Sequence, residues 1–364
     1  MAKQTTAYIG LGSNLGDREK SVKSALEMLG EAEGVEVLRV SDIIETAPLG
    51  QANQPKYLNA VAEIKTTLAA EELHKKLVGI EASLGREKKE KWASRIIDLD
   101  LLLFGQEVIN NPDLTIPHPQ MHLRSFVLKG LCQLNPELVH PVIKEPMNEL
   151  AGRLNDADFV LNPSVPQLVC AAGIIGVGKT TLATELSKLL DCKLLLEAYD
   201  TNPFMPDVYA GKKELALDSQ LYFLTTRIEQ MNRDTLAPGQ TAISDYVFDK
   251  ELIYARRLLN SRQLGLYERT YPPFTAQIVS PVLVIYLQDS AQRCLMRIRE
   301  RNRPYEQKIE LQFLQGLDSD YRRLFEDWKT CPVVRKQMSE FDCTKDADLQ
   351  HLAEQIKCYV AVKD

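Results

Sequence analysis

The feature that most constrains this chain is the glycine-rich segment GIIGVGKT at residues 173–180. It follows the apolar run LVCAA and precedes TLATELSKLL, which has the apolar spacing of a helix. In a strand, loop and helix of this kind, the backbone N–H groups of the loop face a phosphate at the helix N-terminus. A lysine adds a point charge and a threonine hydroxyl can ligate Mg²⁺. We therefore expect a nucleotide phosphate site formed by Gly173, Gly176, Gly178, Lys179, Thr180 and Thr181.

The chain around this loop predicts a parallel sheet. The short apolar runs QLVCAA, KLLLE, TAISD and PVLVIYLQ are separated by long segments with helical spacing. Strands that alternate with helices in this way form parallel sheets that are covered on both faces. The C-terminal half is therefore predicted to be an α/β domain in which a parallel sheet carries the phosphate loop.

The N-terminal half has a different order of elements. AYIGLGSN reads as a strand that ends in a glycine-rich turn, and it is followed by a helix, two strands, a helix and the strand RIIDLDLLLF. This is the split βαβ order of an α+β, ferredoxin-like fold. The 364 residues exceed what one hydrophobic core organises. Because Asn-Pro and Val-Pro interrupt residues 154–167, we expect a domain at 1–155, a linker at 156–166 and a domain at 167–364.

Composition excludes several classes of protein. Lys and Arg number 44 against 50 Asp and Glu, a net charge of −6, which offers no field to hold nucleic acid. No apolar run reaches the roughly 20 residues that span a bilayer, and the start of the chain lacks the apolar core of a secretory signal. The seven cysteines include no CxxC pair, which argues against a disulfide framework and a zinc site. A soluble, cytoplasmic protein without nucleic-acid or membrane partners is expected.

A pair of acidic residues in the N-terminal half predicts a metal site. Asp98 and Asp100 lie two apart in a strand, which places both carboxylates on one face. Two adjacent carboxylates repel unless a cation lies between them, and hard oxygen ligands suit Mg²⁺. Taken alone, the pair is equally compatible with a solvated edge strand. The cations that precede it, Arg86, Lys88, Lys89, Lys91 and Arg95, favour a clamp for a polyphosphate.

Four segments of this half carry a family resemblance. YIGLGSNLGDR (8–18), ETAPLGQANQPKYLNAV (45–61), GREKKEKWASRIIDLDLLLFG (85–105) and IPHPQMHLRSFVL (116–128) resemble, in order and spacing, the motifs of 6-hydroxymethyl-7,8-dihydropterin pyrophosphokinase. That family transfers pyrophosphate from ATP to the pterin hydroxymethyl group in folate synthesis, using two Mg²⁺ ions.

The resemblance implies roles for individual residues. Asp98 and Asp100 would bridge the ions, and Arg86 and Arg95 would steady the phosphates of ATP. The nucleotide would also contact Lys88, His118 and Arg124. The pterin would contact Thr46, Leu49, Tyr57, Asn59 and Phe126, a mixture of a π-face and hydrogen-bonding groups that suits a flat heterocycle. The loop at 86–95 is one residue shorter than the family pattern, and Pro119 follows His118.

A run of arginines marks the C-terminal half. Arg293, Arg297, Arg299, Arg301 and Arg303 lie beyond the strand PVLVIYLQ. A solvated helix face is the usual reading of such a run, but charges of one sign repel unless anions are present. We therefore interpret the run as a mobile lid over phosphates.

Two motifs of this half, RNRPYE (301–306) and LLLEAYDTNPF with Glu197, resemble the lid pattern and the acidic residue of the deoxyribonucleoside kinases. The resemblance covers about residues 167–335 and implies the α/β fold of a P-loop kinase. The resemblance implies that Glu197 takes the proton of the sugar 5′-hydroxyl and that Gln220 reads the nucleobase edge. It also implies catalytic roles for Lys179, Arg301 and Arg303. Further implied contacts are Tyr209, Arg227 and Glu306 with the nucleoside, and Thr180 and Asp245 with the metal.

One feature departs from this second family. Where the family has Arg-Ser after the acidic residue, the chain has Tyr246 and Val247 after Asp245. Arg227 or Lys250 would have to supply the missing charge. We expect a bifunctional enzyme with ATP, a hydroxymethyldihydropterin and a deoxyribonucleoside as substrates and Mg²⁺ as cofactor. Two alternatives stay open: a C-terminal half that only regulates or scaffolds, and a docking unit for other folate enzymes. Kinases that resemble this half are often dimers, so a homodimer through it is also open.

Overall fold

The computed structural model describes residues 4–49, 54–86 and 93–361. The chain divides into two units, Met1–Val160 and Leu161–Asp364. Within the described ranges, no helix has both the length and the hydrophobicity needed to cross a bilayer. All seven cysteines lie in these ranges and are free thiols, as expected from their spacing.

The first unit is built on an antiparallel sheet. Its strands have the order β2–β4–β1–β5, with β3 continuing along the edge of β4 beyond β2. The strands are β1 (Thr5–Ser13), β2 (Val35–Val40), β3 (Ile44–Thr46), β4 (Tyr57–Thr66) and β5 (Asp98–Phe104), followed by a two-stranded ribbon of β6 (Ile109–Asn110) and β7 (Thr115–Ile116). This order confirms the ferredoxin-like prediction. The run VEVLRVSDII, predicted as one strand, is divided into β2 and β3.

Helices cover one face of this sheet and part of the other. They are α1 (Arg18–Glu31), α2 (Ala70–Ser83), α3 (Ser125–Leu134) and α4 (Met147–Gly152). Ile9 and Leu11 of β1 pack with Leu29 of α1 and Leu77 of α2 in one core. The alternate residues of β1 point to the opposite face, where α3 packs against β4. That second face, incompletely covered, is where the site of this unit lies.

The second unit is built on a parallel sheet of order β12–β11–β8–β10–β9. The strands are β8 (Gln167–Ala172), β9 (Lys193–Leu195), β10 (Thr241–Ser244), β11 (Leu283–Gln288) and β12 (Val333–Gln337). Every residue of β8 is buried, as expected for a strand covered on both faces. The predicted parallel sheet is confirmed. Strand β12 was not predicted from the sequence, because it is a short edge strand that ends in the polar residues RKQ.

Eight helices of the second unit connect and cover these strands. They are α5 (Lys179–Leu189), α6 (Met205–Tyr209), α7 (Ala216–Met231), α8 (Lys250–Leu258), α9 (Ser261–Thr275), α10 (Ala291–Arg301), α11 (Leu311–Glu326) and α12 (Asp346–Lys357). The glycine-rich loop joins β8 to α5, so the strand, loop and helix predicted around it are present. The first residues of α5 and of α8 both face the cavity of this unit.

Candidate active sites

The first unit contains a cavity of about 300 Å³ on the face of the sheet opposite α1 and α2. Gly10 and Gly12 form part of its floor. Both glycines belong to β1, so the predicted glycine-rich turn at this point is wrong. Because they carry no side chains, the middle of the sheet stays open to a ligand. The predicted residues that line the cavity are Thr46, Leu49, Tyr57, Asn59, Arg95, Asp98, Asp100, His118, Arg124 and Phe126.

The acidic pair lies on this face among three arginines. Arg95 Nη1 lies 3.0 and 2.9 Å from the two carboxylate oxygens of Asp98, and Arg86 Nη1 lies 2.9 Å from Asp98 Oδ1. Asp100 lies two residues further along β5 on the same face, and its Oδ2 is 3.3 Å from Arg124 Nη1. Burial, and then the charge of Asp100, raise the pKa of Asp98. This is the electrostatic situation that a bound cation relieves.

Glu81 supports the same cluster and was missed from the sequence. It is buried at the end of α2, forms an ion pair with Arg86 and accepts a hydrogen bond of 2.6 Å from the Leu99 N–H. Burial raises the pKa of Glu81 to about 7. A signal was present, because Glu81 continues the apolar stripe of Leu73 and Leu77, where a charged residue needs a partner.

The residues predicted for the pterin lie together at one side of the cavity. Asn59 Nδ2 donates a 2.8 Å hydrogen bond to Thr46 Oγ1, which joins β4 to β3. Burial, and then Asp98, raise the pKa of Tyr57, which keeps its hydroxyl protonated. Burial lowers the pKa of His118. Lys88 and Trp92 lie outside the described residues.

The second unit contains a cavity of about 290 Å³ between the phosphate loop, α7, α8 and the segment after α10. Two described residues of the predicted sites, Gly173 and Arg86, line neither this cavity nor that of the first unit. The predicted residues that line this one are Gly176, Gly178, Lys179, Thr180, Thr181, Glu197, Tyr209, Gln220, Arg227, Asp245, Arg301, Arg303 and Glu306. Residues more than 100 positions apart in the chain therefore meet here.

The phosphate loop holds its lysine and threonine in defined positions. Gly178 has φ 112° immediately before the first turn of α5, a backbone conformation that favours glycine. Lys179 Nζ donates to the Ile174 carbonyl at 2.9 Å, and burial, followed by the charge of Lys250, lowers the pKa of Lys179 to about 8. The Thr180 hydroxyl donates to Asp245 Oδ2 at 2.7 Å. Burial, and then Glu197, raise the pKa of Asp245.

Glu197 belongs to a buried network of four charged residues. Lys250 Nζ lies 2.8 and 2.6 Å from its two carboxylate oxygens, and Arg227 forms a second ion pair with it. Arg227 also pairs with Glu251, which accepts a hydrogen bond from the Tyr267 hydroxyl. Burial alone would raise the pKa of Glu197, but the charges of Lys250 and Arg227 hold it well below its usual range. Glu251 and Tyr267 were not predicted from the sequence.

The five arginines near α10 have different partners. Arg293 and Arg297 pair with Asp289, and Arg299 donates to the backbone carbonyls of Glu306 and Ile309. Arg301 forms a two-pronged ion pair with Glu306. The guanidinium of Arg303 lies 4.2 Å from the centre of the Tyr199 ring and donates to its hydroxyl at 2.6 Å. The members that line the cavity are Arg297, Arg301 and Arg303.

The metal-binding capacity of both sites depends on added oxygen ligands. In the part of the chain that the structure describes, no three His, Cys, Asp or Glu side chains come close enough to hold an ion by themselves. The first site offers the carboxylates of Asp98 and Asp100, and the second offers Asp245 with the hydroxyl of Thr180. Mg²⁺ is commonly bound in this way, by one or two carboxylates together with substrate phosphates and water. These donors fit such an ion.

Comparison with known proteins identifies both units. The family model for 7,8-dihydro-6-hydroxymethylpterin-pyrophosphokinase matches residues 8–136, and the model for deoxynucleoside kinase matches residues 169–361, more than half of the chain. The chain belongs to both families. The two resemblances found in the sequence are confirmed, and the chain is a fusion of a pyrophosphokinase unit with a deoxynucleoside kinase unit. Enzymes of these families use ATP, typically with a divalent metal ion.

Individual relatives show how far each similarity extends. The pyrophosphokinase of Haemophilus influenzae is 39% identical over 159 residues, which cover 43% of this chain and 99% of that protein. The enzyme of Aquifex aeolicus is 38% identical over 144 residues, or 40% of this chain and 89% of that protein. The folic acid synthesis protein fol1 of Schizosaccharomyces pombe is 40% identical over 176 residues, but the match spans only 24% of fol1 and 48% of this chain.

A solved structure matches the deoxynucleoside kinase unit. Deoxyadenosine kinase from M. mycoides, solved with products dCMP and a flexible dCDP bound, is 22% identical, with a TM-score of 0.46. The match covers 52% of this chain and 98% of that one.

Proposed function

We propose that this chain is a bifunctional enzyme. The pyrophosphokinase unit transfers pyrophosphate from ATP to 6-hydroxymethyl-7,8-dihydropterin, and the deoxynucleoside kinase unit transfers the γ-phosphate of ATP to a deoxyribonucleoside. The observation that supports this most directly is that most of the residues predicted for each reaction, scattered along the sequence, line one cavity in each unit. We further propose Mg²⁺ as the metal, the cytoplasm as the location and a homodimer through the kinase unit.

In the pyrophosphokinase unit, the pterin would lie between Phe126 and Asn59 with its hydroxymethyl group toward the acidic pair. The hydroxymethyl oxygen bonds to the β-phosphorus of ATP as the bond from that phosphorus to the α–β bridging oxygen breaks. AMP leaves and the hydroxyl proton is released. Arg86 and Arg95 neutralise the charge that develops on the transferred group, which is the main task of a protein in phosphoryl-type transfer. Both guanidiniums already lie within 3.0 Å of Asp98.

The acidic pair would hold the metal ions of this reaction. Mg²⁺, when bound, would offset part of the negative charge of the ATP phosphates. Asp98 and Asp100 would provide its protein ligands, and Arg124 holds Asp100 in position. In the kinase unit, Thr180 and Asp245 would provide the corresponding oxygens, since their side chains are already hydrogen bonded to each other.

In the kinase unit, the sugar would lie between Glu197 and Tyr209, with the base against Gln220 and Phe223. The 5′-oxygen bonds to the γ-phosphorus of ATP as the bond to the β–γ bridging oxygen breaks, and the hydroxyl proton passes to Glu197. Because two cations hold the pKa of Glu197 low, it is a weak proton acceptor in the resting enzyme. Its main contribution is then to orient the hydroxyl, and the proton moves late in the transfer.

One variant in each unit tests the two assignments against each other. Asp100→Ala should abolish AMP formation from ATP and the pterin, and should leave nucleoside phosphorylation unchanged. Glu197→Gln should lower nucleoside turnover by roughly 10²–10⁴-fold, because it removes the carboxylate that orients the 5′-hydroxyl and then takes its proton, and it should leave AMP formation unchanged. Each variant is the control for the other, because Asp100 lines only the cavity of the first unit and Glu197 only that of the second.

The measurements are AMP release with the pterin, and nucleoside monophosphate formation across the natural deoxyribonucleosides and ribonucleosides with Mg²⁺-ATP. Near wild-type AMP release by Asp100→Ala would show that the metal assignment is wrong. If the wild-type chain forms no monophosphate from any nucleoside, the kinase unit has a regulatory or scaffolding role instead.

A further inference from the structure

The position of Lys250 in the kinase cavity is unusual for a lysine. Lys250 is only 3% exposed, although the ammonium of a lysine is strongly hydrated and lysine is seldom fully buried. Lys250 is the first residue of α8, so the backbone of this helix fixes the origin of its side chain. Its Nζ contacts both oxygens of Glu197 and lies 5.0 Å from the centre of the Tyr254 ring. A buried ammonium that faces a substrate cavity requires a reason.

Arg227, the other cation beside Glu197, is held by the protein itself. Its two terminal nitrogens pair with Glu197 and Glu251, and its guanidinium lies 4.9 and 5.5 Å from the centres of the Phe223 and Tyr246 rings. The charge of Arg227 is therefore shared with the fully buried Glu251. Lys250 has Glu197 as its one carboxylate partner among the described contacts. Of the two cations, Lys250 is the one whose charge is directed at Glu197 alone.

The residue that follows Asp245 at the end of β10 is Tyr246, which carries no positive charge. Its side chain is fully buried, and its hydroxyl donates to Gln230 at 2.8 Å. The neighbouring Asp245 turns toward the phosphate loop and accepts hydrogen bonds from Thr180 and from the Glu197 N–H. The cation that this segment places beside Glu197 is therefore Lys250, which lies four residues after Tyr246 in the first turn of α8.

Lys250 shares its cavity with the phosphate loop, whose Lys179 and Thr180 also line it. The Lys179 ammonium is hydrogen bonded to the Ile174 carbonyl. Two ammonium groups in one cavity, with a carboxylate beside one of them, form a site that an additional anion stabilises. Lys250 therefore lies at the junction between the phosphate loop and the sugar position.

We propose that Lys250 is the positioning residue of the kinase reaction: its ammonium, which contacts both oxygens of Glu197, holds that carboxylate oriented at the point where the 5′-hydroxyl meets the transferred phosphate. This inference rests on the proposed nucleoside kinase function. Lys250 acts through Glu197, so its removal should lower kcat much more than it changes the KM for ATP.

The test compares Lys250→Met, Lys250→Arg, Glu197→Gln and the double variant Lys250→Met with Glu197→Gln in the full-length chain. Lys250→Met should lower kcat for the nucleoside by roughly 10²-fold, with less than about a threefold change in the KM for ATP. Lys250→Arg keeps the charge and should recover turnover to within about tenfold of the wild type. The double variant should be no slower than Glu197→Gln alone, because residues that act as one unit are not additive.

Lys193→Met is the matched control. Lys193 is a partly buried lysine of β9 whose ammonium donates to the Thr235 carbonyl at 2.9 Å, away from the cavity. Its loss should leave kcat unchanged. If the wild type is active and Lys250→Met is equally active, the role of Lys250 is overturned but the proposed kinase function stands. The same conclusion follows if the losses of the two single variants multiply in the double variant. Absence of turnover in the wild type would overturn the proposed function and the role of Lys250 together. If Lys250→Met does not fold, Lys250→Arg is compared with and without Glu197→Gln. A loss of kcat caused by Lys250→Arg should disappear in the Glu197→Gln background, and a loss that persists there would overturn the role of Lys250.

Discussion

Gly12 and Asn59 lie directly opposite each other in the β1–β4 ladder, and a Cβ at position 12 would lie 3.2 Å from Asn59 Oδ1. The same methyl group would lie 3.8 Å from the Tyr57 ring and 4.0 Å from Asp98 Cβ. Position 12 therefore lies beside two proposed pterin contacts, Asn59 and Tyr57, and one proposed metal ligand, Asp98. The absence of a side chain there keeps these two groups of residues open to one cavity.

Gly12→Ala should weaken the pyrophosphokinase reaction without unfolding the unit. The added methyl group must displace the Asn59 amide, which is hydrogen bonded to Thr46, and overpacking of this kind costs about 1–3 kcal/mol. We expect roughly a tenfold increase in the KM for the pterin, measured by AMP release. Gly30→Ala is the control, because Gly30 lies in α1, where a Cβ would be in ordinary contact with Val37. Equal kinetics of the Gly12→Ala and wild-type enzymes would show that the pterin does not approach this point.

Gln220→Leu should impair recognition of the base rather than stability. Gln220 is 3% exposed and its Oε1 is buried without a hydrogen-bond partner. Replacement of an unsatisfied buried acceptor by an apolar group costs little folding free energy, whereas the loss of a base contact costs about 1.5–3 kcal/mol. The KM for the preferred nucleoside should rise roughly 10–100-fold, with an unchanged melting temperature. Gln277→Leu, at an exposed position, is the control. An unaltered preference among nucleosides would remove Gln220 from the base site.

His140 should make the pyrophosphokinase unit less stable in acid. Its Nδ1 accepts hydrogen bonds from the N–H groups of Val142 and Ile143 at 3.2 and 3.1 Å. Burial, followed by the charges of His122, Arg153 and Lys144, lowers its pKa from 6.5 to about 3. In the unfolded chain, His140 therefore binds a proton below about pH 6.5, whereas in the folded chain it binds one only near pH 3. Stability is complete above pH 6.5 and decreases as the pH falls, by about 2 kcal/mol at pH 5.

His140→Asn provides the comparison for this pH dependence. The asparagine oxygen can accept the same backbone N–H groups but does not titrate. Chemical denaturation of the full-length chain at pH 7 and pH 5 should show a smaller acid loss for the unfolding of the first unit in His140→Asn than in the wild type. Identical losses in the two proteins would show that His140 is not responsible.

Limited proteolysis should cleave first between residues 161 and 165. The Phe159 N–H donates to the Leu123 carbonyl, which joins that residue to the first unit, and the Val165 carbonyl accepts from Gly239 of the second unit. Asn162, Pro163 and Ser164 between them are exposed. The predicted linker at 156–166 should therefore be cut only within this shorter stretch, as determined by fragment masses. Halves that aggregate separately and recover on mixing would show that the units share a core.

Sequence alone identified those features that depend on neighbours along the chain. The pattern from Gly173 to Thr180 predicted its own strand, loop and helix because the spacing of glycines, lysine and threonine is set by local backbone geometry. The two-residue period of Asp98 and Asp100 likewise placed both on one face of β5. The order of apolar segments was enough to predict a ferredoxin-like α+β unit and an α/β unit with a parallel sheet.

Tertiary structure decided which distant residues meet. Glu81 supports Arg86 and the Leu99 N–H only because α2 packs beside β5, and β12 is a strand only because β11 lies next to it. The same holds for Lys250: sequence left it and Arg227 as equal candidates, and the packing of α8 against α7 gave Arg227 a second partner in Glu251 and left Lys250 with Glu197. Local periodicity specifies which face a side chain takes, but the energy of a buried charge depends on all its neighbours, and those are set by how the elements pack.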